Sequence, residues 1–480
     1  MESVKEYGEP GFIWSDHEDI GYNPCSEIGL YPKTEDGRDG FQVCNLTEIN
    51  GKQCKTVDDF LTACKASAIL GTLQAGYTNF KYVSKETKEI TDREALLGCS
   101  ITGMMDSPDI LFDPIIQRQG AKLIKEVNEL IAEKIGINPA ARLTALKPAG
   151  STSCILGTAS GIHPHHARRY FRRVQANKLE FPLKEFTTHN PHAVEESVWS
   201  SNNTDMNITF LCEVPLGSVI KNQLSAIELL DKVKLTQQNW VEYGTNKDRC
   251  AIPSLRHNVS NTITVMDDEW DDVTDYIYKN KKWFAGIALL PASGDKDYPQ
   301  APFTTVYTPT EIVRAYGDAS VFASGLTVDG LAAFDNNLWV ACDAVLGIGE
   351  VVNMKDKEEP VMPVRPSRNG YSTTAYNKKL IKHARSFEKY YIEQETYDIW
   401  WAKRDWIRRA VQFADRYFDG NKKLMTYCLK DVSNWKTWCD LSREYKDIDW
   451  SSVVEEEEFL VNVDETAGAA CSSGKCDLVF

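Results

Sequence analysis

The chain has 480 residues, of which 42% are hydrophobic and 26% charged, a globular composition with material for one large core or two ordinary ones. Its formal net charge of −15 leaves no basic footprint, which excludes stable binding of duplex nucleic acid as the main role, because neutralising phosphates takes clustered Lys and Arg. No run of about 18 apolar residues occurs, and Met1-Glu2-Ser3-Val4-Lys5-Glu6 lacks the basic and apolar regions of a secretory signal, so a soluble, cytoplasmic protein without membrane contact is expected.

Residues 1–55 alternate short apolar stretches with Gly8-Glu9-Pro10-Gly11, Asn23-Pro24 and Asp36-Gly37, the pattern of strands joined by loops. Helical spacing follows over 57–76 and 115–136. In the second, Ile116, Leu123, Ile124, Val127, Ile131 and Ile135 form one stripe, stopped by Gly136 and Pro139. From Thr144 to Gly161 the chain passes from apolar residues through Pro148-Ala149-Gly150-Ser151-Thr152-Ser153 to Ile155 and Leu156, which reads as strand, turn and helix start. Further helices are expected at 224–243 and 308–316, with strands at Asn207 to Val214 and Asn261 to Val265. This alternation favours an α/β layout. From about residue 370 the chain is aromatic and charged, with Tyr390, Tyr391, Trp400, Trp401 and Trp406, and reads as a helical extension. After Glu455 to Glu458 the composition is that of a mobile tail carrying Cys471 and Cys476.

The 13 cysteines are odd in number and scattered, so a disulfide framework is not expected. Cys54, Cys64, Cys99, Cys154, Cys212, Cys250, Cys342, Cys428 and Cys439 read by default as small buried hydrophobes. His163, His165 and His166 lack cysteine partners and ordered ligand spacing, so no metal site is expected. In Gly21-Tyr22-Asn23-Pro24-Cys25-Ser26-Glu27-Ile28 a thiol lies two residues from an amide and two from a carboxylate. In an extended loop the three side chains point to one side. Taken alone, this could be a turn with a buried Cys and a surface Glu.

A second cysteine follows in Phe41-Gln42-Val43-Cys44-Asn45-Leu46, and together the two segments resemble the catalytic core of ribonucleotide reductases. Glu9-Pro10-Gly11-Phe12, Gly98 to Asp106, and Lys147 to Ser153 look like further segments of that family, the last like its phosphate loop. Gly161-Ile162-His163-Pro164, Arg168 to Val174, Phe284 to Pro291 and Tyr298 to Pro302 are similar to the monomeric adenosylcobalamin-dependent (class II) triphosphate reductases. The resemblance covers roughly residues 1–305 and the final tail.

It implies part of a ten-stranded β/α barrel of the ribonucleotide reductase and glycyl-radical enzyme type in residues 1–305, a mostly helical extension of unknown role in 306–460, and a flexible redox tail in 461–480. It implies reduction of a ribonucleoside triphosphate, with Cys25 as the thiyl residue, Glu27 as the base and Asn23 as the holder of the ribose hydroxyls. Cys44 would be a reducing thiol. Pro148, Ala149, Gly150, Ser151 and Thr152 would bind substrate phosphates, since Gly and a helix start let backbone N–H groups approach an anion. Cys471 and Cys476 would shuttle electrons from thioredoxin or a glutaredoxin-like protein. Adenosylcobalamin would be the cofactor. The thiol that pairs with Cys44 lies upstream of the thiyl loop in this family, so the missing amino-terminal half is expected as a separate chain, the competing explanation being an experimental fragment or a divided gene model. Two rival readings are a class I large-subunit fragment served by a metal-radical protein, whose tyrosine pair Tyr390-Tyr391 does not resemble, and a non-catalytic nucleotide-binding or assembly subunit.

Overall fold

The computed structural model describes residues 2–292, 296–355, 397–451 and 453. The chain divides into two units, residues 1–168 with 213–294 and residues 169–212 with 295–480.

The first unit is built on parallel strands. Strand Asn45–Asn50 lies parallel to Leu97–Thr102, and parallel bridges Cys99 to Thr144 and Leu146 to Val259 carry the array onward through an irregular segment. Thr262–Val265 then runs parallel to Gly286–Pro291, whose other edge takes Phe12–Ile13 antiparallel. Helices separate the successive strands, as parallel pairing requires a crossover. Helix Val57–Ala75 starts at a capping box in which Thr56 and Asp59 satisfy each other's backbone. Helix Pro114–Ile135 starts at Asp113, which accepts from the Ile115 and Ile116 amides, and stops at Gly136 with φ +74°.

The face that this second helix buries is rotated from the expected stripe. Ile124 and Val127 are inside, but so are Gln117, Gly120, Ala121 and Asn128, while Ile135 is exposed. Both buried amides are bonded: Asn128 donates to Thr72 Oγ1 (2.9 Å) and accepts from the Ala140 amide (2.9 Å), and Gln117 donates to the Leu111 carbonyl (2.7 Å). Bonded polar groups cost little to bury, which is why polarity did not mark this face as external.

Near the amino terminus, Glu2–Tyr7 is a helix where short strands were expected. The helix expected at 224–243 is α-helical over Ala226–Thr236 and widens to a π turn over Gln237–Val241. That turn aims Gln237 inward, where its amide accepts from the Val259 N–H (3.0 Å) and donates to the His257 carbonyl (3.0 Å).

The second unit has a four-stranded sheet ordered 303–305, 169–177, 205–213, 194–196. Helices Pro309–Tyr316, Ala319–Ala333, Leu338–Lys355, Tyr397–Tyr417 and Lys422–Glu444 follow it. Trp406 is fully buried in their core and donates from Nε1 to the Leu326 carbonyl (2.7 Å). The acidic run and tail, Tyr390 and Tyr391 lie outside the described residues. Among the cysteines expected inside, Cys54, Cys64, Cys99, Cys250, Cys342 and Cys428 are buried, Cys212 and Cys439 are half-buried, and Cys154 is exposed. Cys154 follows Ser153 on the short helix Gly150–Leu156, and only Ser153 faces inward there.

Candidate active site

Strands Gly21–Tyr22 and Gly29–Leu30 form a small antiparallel hairpin, and its tip carries Asn23, Cys25 and Glu27. The tip is tightly specified. The Ser26 amide donates to the Asn23 carbonyl (2.8 Å), and Asn23 Oδ1 accepts from the Ile28 amide (3.0 Å). Ser26 takes the left-handed conformation at φ +59°. Asn23 thus spends its oxygen on the loop, and its amide NH₂ makes no hydrogen bond among the described residues. Cys25 is exposed, whereas Glu27 is only 3% exposed. One Glu27 oxygen, Oε2, is buried with no hydrogen-bond partner among the described residues.

The hairpin is anchored by a polar run far away in sequence. Ser260 Oγ donates to the Cys25 carbonyl (2.6 Å), the Asn258 side chain donates to the Ser26 carbonyl (3.1 Å), and the Asn258 amide donates to the Glu27 carbonyl (2.9 Å). The Gly29 amide donates to His257 Nδ1 (3.2 Å), while His257 Nε2 faces the Leu97 carbonyl at 2.9 Å. An amide can only donate and a carbonyl only accept, so the ring proton resides on Nε2 and the imidazole is neutral. Burial, helped by the charge of Arg142, pulls the His257 pKa down to about 3. Gly29 admits no side chain, because a Cβ would run into the Arg256 carbonyl and Leu255.

Cys44 lies just before strand Asn45–Asn50, half-buried. Burial pushes its thiol well above the ordinary range, Arg142 opposes this, and the charges of Cys99 and Glu27 add to it. Its Sγ is 3.9 Å from His257 Nε2. This is no nucleophile and base pair, since that nitrogen carries the proton and gives it to Leu97. Cys44 therefore stays a thiol at neutral pH. Gly98 leaves room beside it, where a Cβ would stand 3.5 Å from Cys44 Sγ and collide with Leu46.

Beneath this group, Arg142 and Glu94 form a fully buried two-pronged ion pair at 3.2 Å for each prong. Burial alone would raise the Glu94 carboxyl, but Arg142, the Ala251 amide and Gln42 outweigh it and hold it low. Gln42 bonds to Glu94 and accepts from the Tyr31 amide (2.7 Å), which ties the segment before Cys44 to the pair.

Lys147, expected to open a phosphate loop, instead points its ammonium at Glu48, 3.1 Å away. Glu48 also accepts from Ser100 Oγ (2.9 Å), and burial raises its carboxyl despite Lys147. Pro148 and Ala149 then turn the chain, Ala149 at φ +53°, into helix Gly150–Leu156. Gly150 and Ser151 are exposed and Thr152 is half-buried. The return of this turn is braced by Asp106, which accepts from the Ala159 amide (2.8 Å), Ser218 Oγ (2.8 Å) and His165 Nε2 (2.7 Å). His163 Nε2 accepts from the Thr262 amide (2.9 Å), so both histidines are structural braces. Among the described residues no cluster of three or more His, Cys, Asp or Glu could hold a metal ion.

The structure thus brings Asn23, Cys25, Glu27 and Cys44 into one unit with Pro148, Ala149, Gly150, Ser151 and Thr152. Cys471 and Cys476 lie outside the described residues. Sequence reasoning missed His257, Asn258, Ser260 and Glu48. The polar run Arg256-His257-Asn258 with Ser260 and Asn261, leading into an apolar strand, was the available signal.

No family model matches the chain. Curated proteins do. A probable adenosylcobalamin-dependent ribonucleoside-triphosphate reductase from Dictyostelium discoideum is 24% identical over 333 residues, 64% of this chain and 40% of that protein. The adenosylcobalamin-dependent ribonucleoside-triphosphate reductase of Euglena gracilis is 23% identical over 334 residues, 64% of this chain and 41% of that protein. The chain therefore spans about 40% of the length of these relatives. A crystal structure of a B12-dependent (class II) ribonucleotide reductase has a similar fold, with a TM-score of 0.51 at 19% identity, covering 65% of this chain and 47% of that one.

Proposed function

We propose that this chain, a relative of the adenosylcobalamin-dependent ribonucleoside-triphosphate reductases over 64% of its length, is the carboxy-terminal, chemistry-bearing part of a reductase that removes the 2′-hydroxyl of ribonucleoside triphosphates. The observation that carries this reading is the hairpin tip: an exposed Cys25 thiol, a free Asn23 amide, and a buried Glu27 carboxylate with one oxygen left bare. A buried polar atom without a partner calls for one, and a ribose hydroxyl supplies it.

In this reading Cys25, as a thiyl radical, takes the hydrogen atom from C3′ of the ribose. Glu27 takes the proton of the 3′-hydroxyl and passes it to the 2′-hydroxyl, which leaves as water. Asn23 holds the hydroxyls with an uncharged donor that does not compete for the proton. Cys44 and a second thiol then surrender two hydrogen atoms and become a disulfide, and Cys25 returns its hydrogen to C3′. The raised Cys44 pKa suits this step, which consumes S–H groups rather than thiolates. Adenosylcobalamin, when bound, supplies the radical that draws the hydrogen atom from the Cys25 thiol, and the exposed Sγ fits an approach from outside the chain.

The turn from Pro148 to Thr152 would hold the substrate phosphates on the open N–H groups of its helix start, aided by the Ser151 and Thr152 hydroxyls. Lys147 would act there indirectly, through Glu48. Residues 1–305 would contribute the carboxy-terminal portion of a ten-stranded barrel. The remaining length of the relatives, which this sequence does not include, would contribute the other half and the thiol that pairs with Cys44. Residues 306–460 would form an extension, and Cys471 and Cys476 on a tail at 461–480 would pass electrons from thioredoxin or a glutaredoxin-like protein. Assays of labelled cytidine triphosphate reduction test the reading. With adenosylcobalamin and a dithiol the chain alone should be inactive, and a companion supplying the remaining length of the relatives should restore turnover. Turnover by this polypeptide alone would contradict the division.

A further inference from the structure

We propose that the second unit holds a binding site for a phosphate-sized oxyanion, formed by Lys430, Arg173, Lys296 and Asn434 beside the face of Trp339. This goes beyond the reductase reading and does not depend on it. These residues line a cavity of about 260 Å³, its open mouth included, together with Gln300 and Thr304.

Most of the lining is already committed. Lys296 pairs with Asp431 at 2.8 Å. An Arg173 terminal nitrogen donates to the Ala301 carbonyl (3.1 Å) and Thr304 Oγ1 (2.6 Å). Gln300 is held between the Glu196 carbonyl and the Val198 amide.

Lys430 is different. It is 6% exposed, and its ammonium makes one hydrogen bond, to the Lys296 carbonyl at 2.9 Å, and lies 3.3 Å from the centre of the Trp339 ring. Among the described residues no carboxylate forms an ion pair with it. An ammonium has three donors, so two remain unspent. Asn434, half-buried on the same wall, makes no hydrogen bond among the described residues. Burial lowers the Lys430 pKa, and the more distant charges of Asp343 and Asp297 oppose this without reversing it.

Such a group is expensive to keep unless something completes it, and an aromatic face alone replaces only part of its hydration. The carboxylates whose charge Lys430 feels, Asp343 and Asp297, do not line the cavity. Among the described residues the lining therefore carries cationic, amide and hydroxyl side chains and no carboxylate. An oxyanion seated there would take the two free Lys430 protons and the Asn434 amide, with Arg173 and Lys296 adding charge.

Isothermal titration of the full chain with inorganic phosphate, at fixed ionic strength, tests this. A second arm with ATP distinguishes a free phosphate from a nucleotide-borne one by which binds more tightly. Lys430→Met should weaken phosphate at least tenfold, and Asn434→Ala should weaken it severalfold. The Ser151→Ala/Thr152→Ala double variant should leave this binding within twofold, which separates it from the turn in the first unit. Lys430→Met should fold, because methionine keeps the apolar stem and removes an unpaired buried charge, a change that is often neutral or stabilising. Absence of phosphate binding in the parent chain would overturn the assignment. So would unchanged affinity in Lys430→Met with loss in the double variant.

Discussion

Two buried cations, one in each unit, are treated in opposite ways. In the first, Arg142 and Glu94 are both fully buried and match each other prong for prong, with Gln42 and the Ala251 amide completing the carboxylate. In the second, Lys430 is buried against Trp339 with a single carbonyl as its hydrogen-bond partner among the described residues. The difference separates scaffold from site. A pair whose charges meet each other holds the chain by itself, although Arg142 Nε has no hydrogen-bond partner among the described residues, whereas a buried charged group beside an open site is one that a ligand can complete. Glu27 obeys the same rule within the first unit. It lies close enough to raise the Cys44 thiol, yet one of its oxygens lacks the partner that each oxygen of Glu94 has.

Breaking the bare group and breaking the completed pair should therefore read out differently. The largest effect is expected from Glu27→Gln in the reconstituted complex. Turnover should fall by about 10²- to 10⁴-fold, the usual worth of a positioned acid or base, with ATP binding and melting temperature nearly unchanged. Normal turnover by this variant would mean that the bare carboxylate is not functional. Arg142→Met should act on stability instead, costing about 3–5 kcal/mol by stranding Glu94 in the interior. Urea unfolding followed through the first unit's transition measures this, and a paired Arg142→Met/Glu94→Leu variant should recover most of the loss. A single-variant cost below about 1 kcal/mol would show that the pair is not holding the site together.

A smaller effect should appear with pH. His257 sits at about 3 in the fold against its ordinary 6.5, so only its neutral form is accommodated. A depressed folded value means that the stabilisation is complete above the unfolded value and is lost as pH falls from 6.5 toward 3. His163, also lowered by burial, acts in the same direction. Stability should thus decline by up to about 1.4 kcal/mol per pH unit through His257 in this window. His257→Gln should flatten the slope between about pH 6.5 and 4.5, above the range where most carboxylates titrate. An unchanged slope would mean that His257 is not the neutral clamp beneath Gly29.

How much of this was legible in the sequence follows from how local each signal is. Asn23, Cys25 and Glu27 sit within five consecutive residues, and the helices at Val57 and Pro309 begin with capping boxes written into adjacent positions. Such features need no knowledge of the fold. The anchors Asn258 and Ser260 act across more than 200 residues of sequence, and nothing near them announces a partner at Cys25 or Ser26. The rotated face of the 114–135 helix escaped for a related reason, since Asn128 and the Gln117 NH₂ are internal only because they bond to Thr72, Ala140 and Leu111. The grouping of 169–212 with 295–480 likewise rests on strand pairings between distant segments, such as Phe303 with Arg172. Lys147 shows the limit of a motif: its place beside the turn was readable, but its pairing with Glu48 depends on a strand 100 residues earlier.

The central claim, that Cys25 drives a reduction paid in thiols at Cys44, is tested most directly by a single turnover. The prereduced protein, reconstituted with a polypeptide supplying the remaining length of the relatives and with adenosylcobalamin, would be given labelled ribonucleoside triphosphate without external reductant, quenched, and its remaining thiols alkylated and mapped. The account predicts about one deoxyribonucleotide per complex, loss of alkylation at Cys44, and no product from Cys25→Ser. Product formed by Cys25→Ser, or product formed while Cys44 remains fully alkylatable, would contradict it.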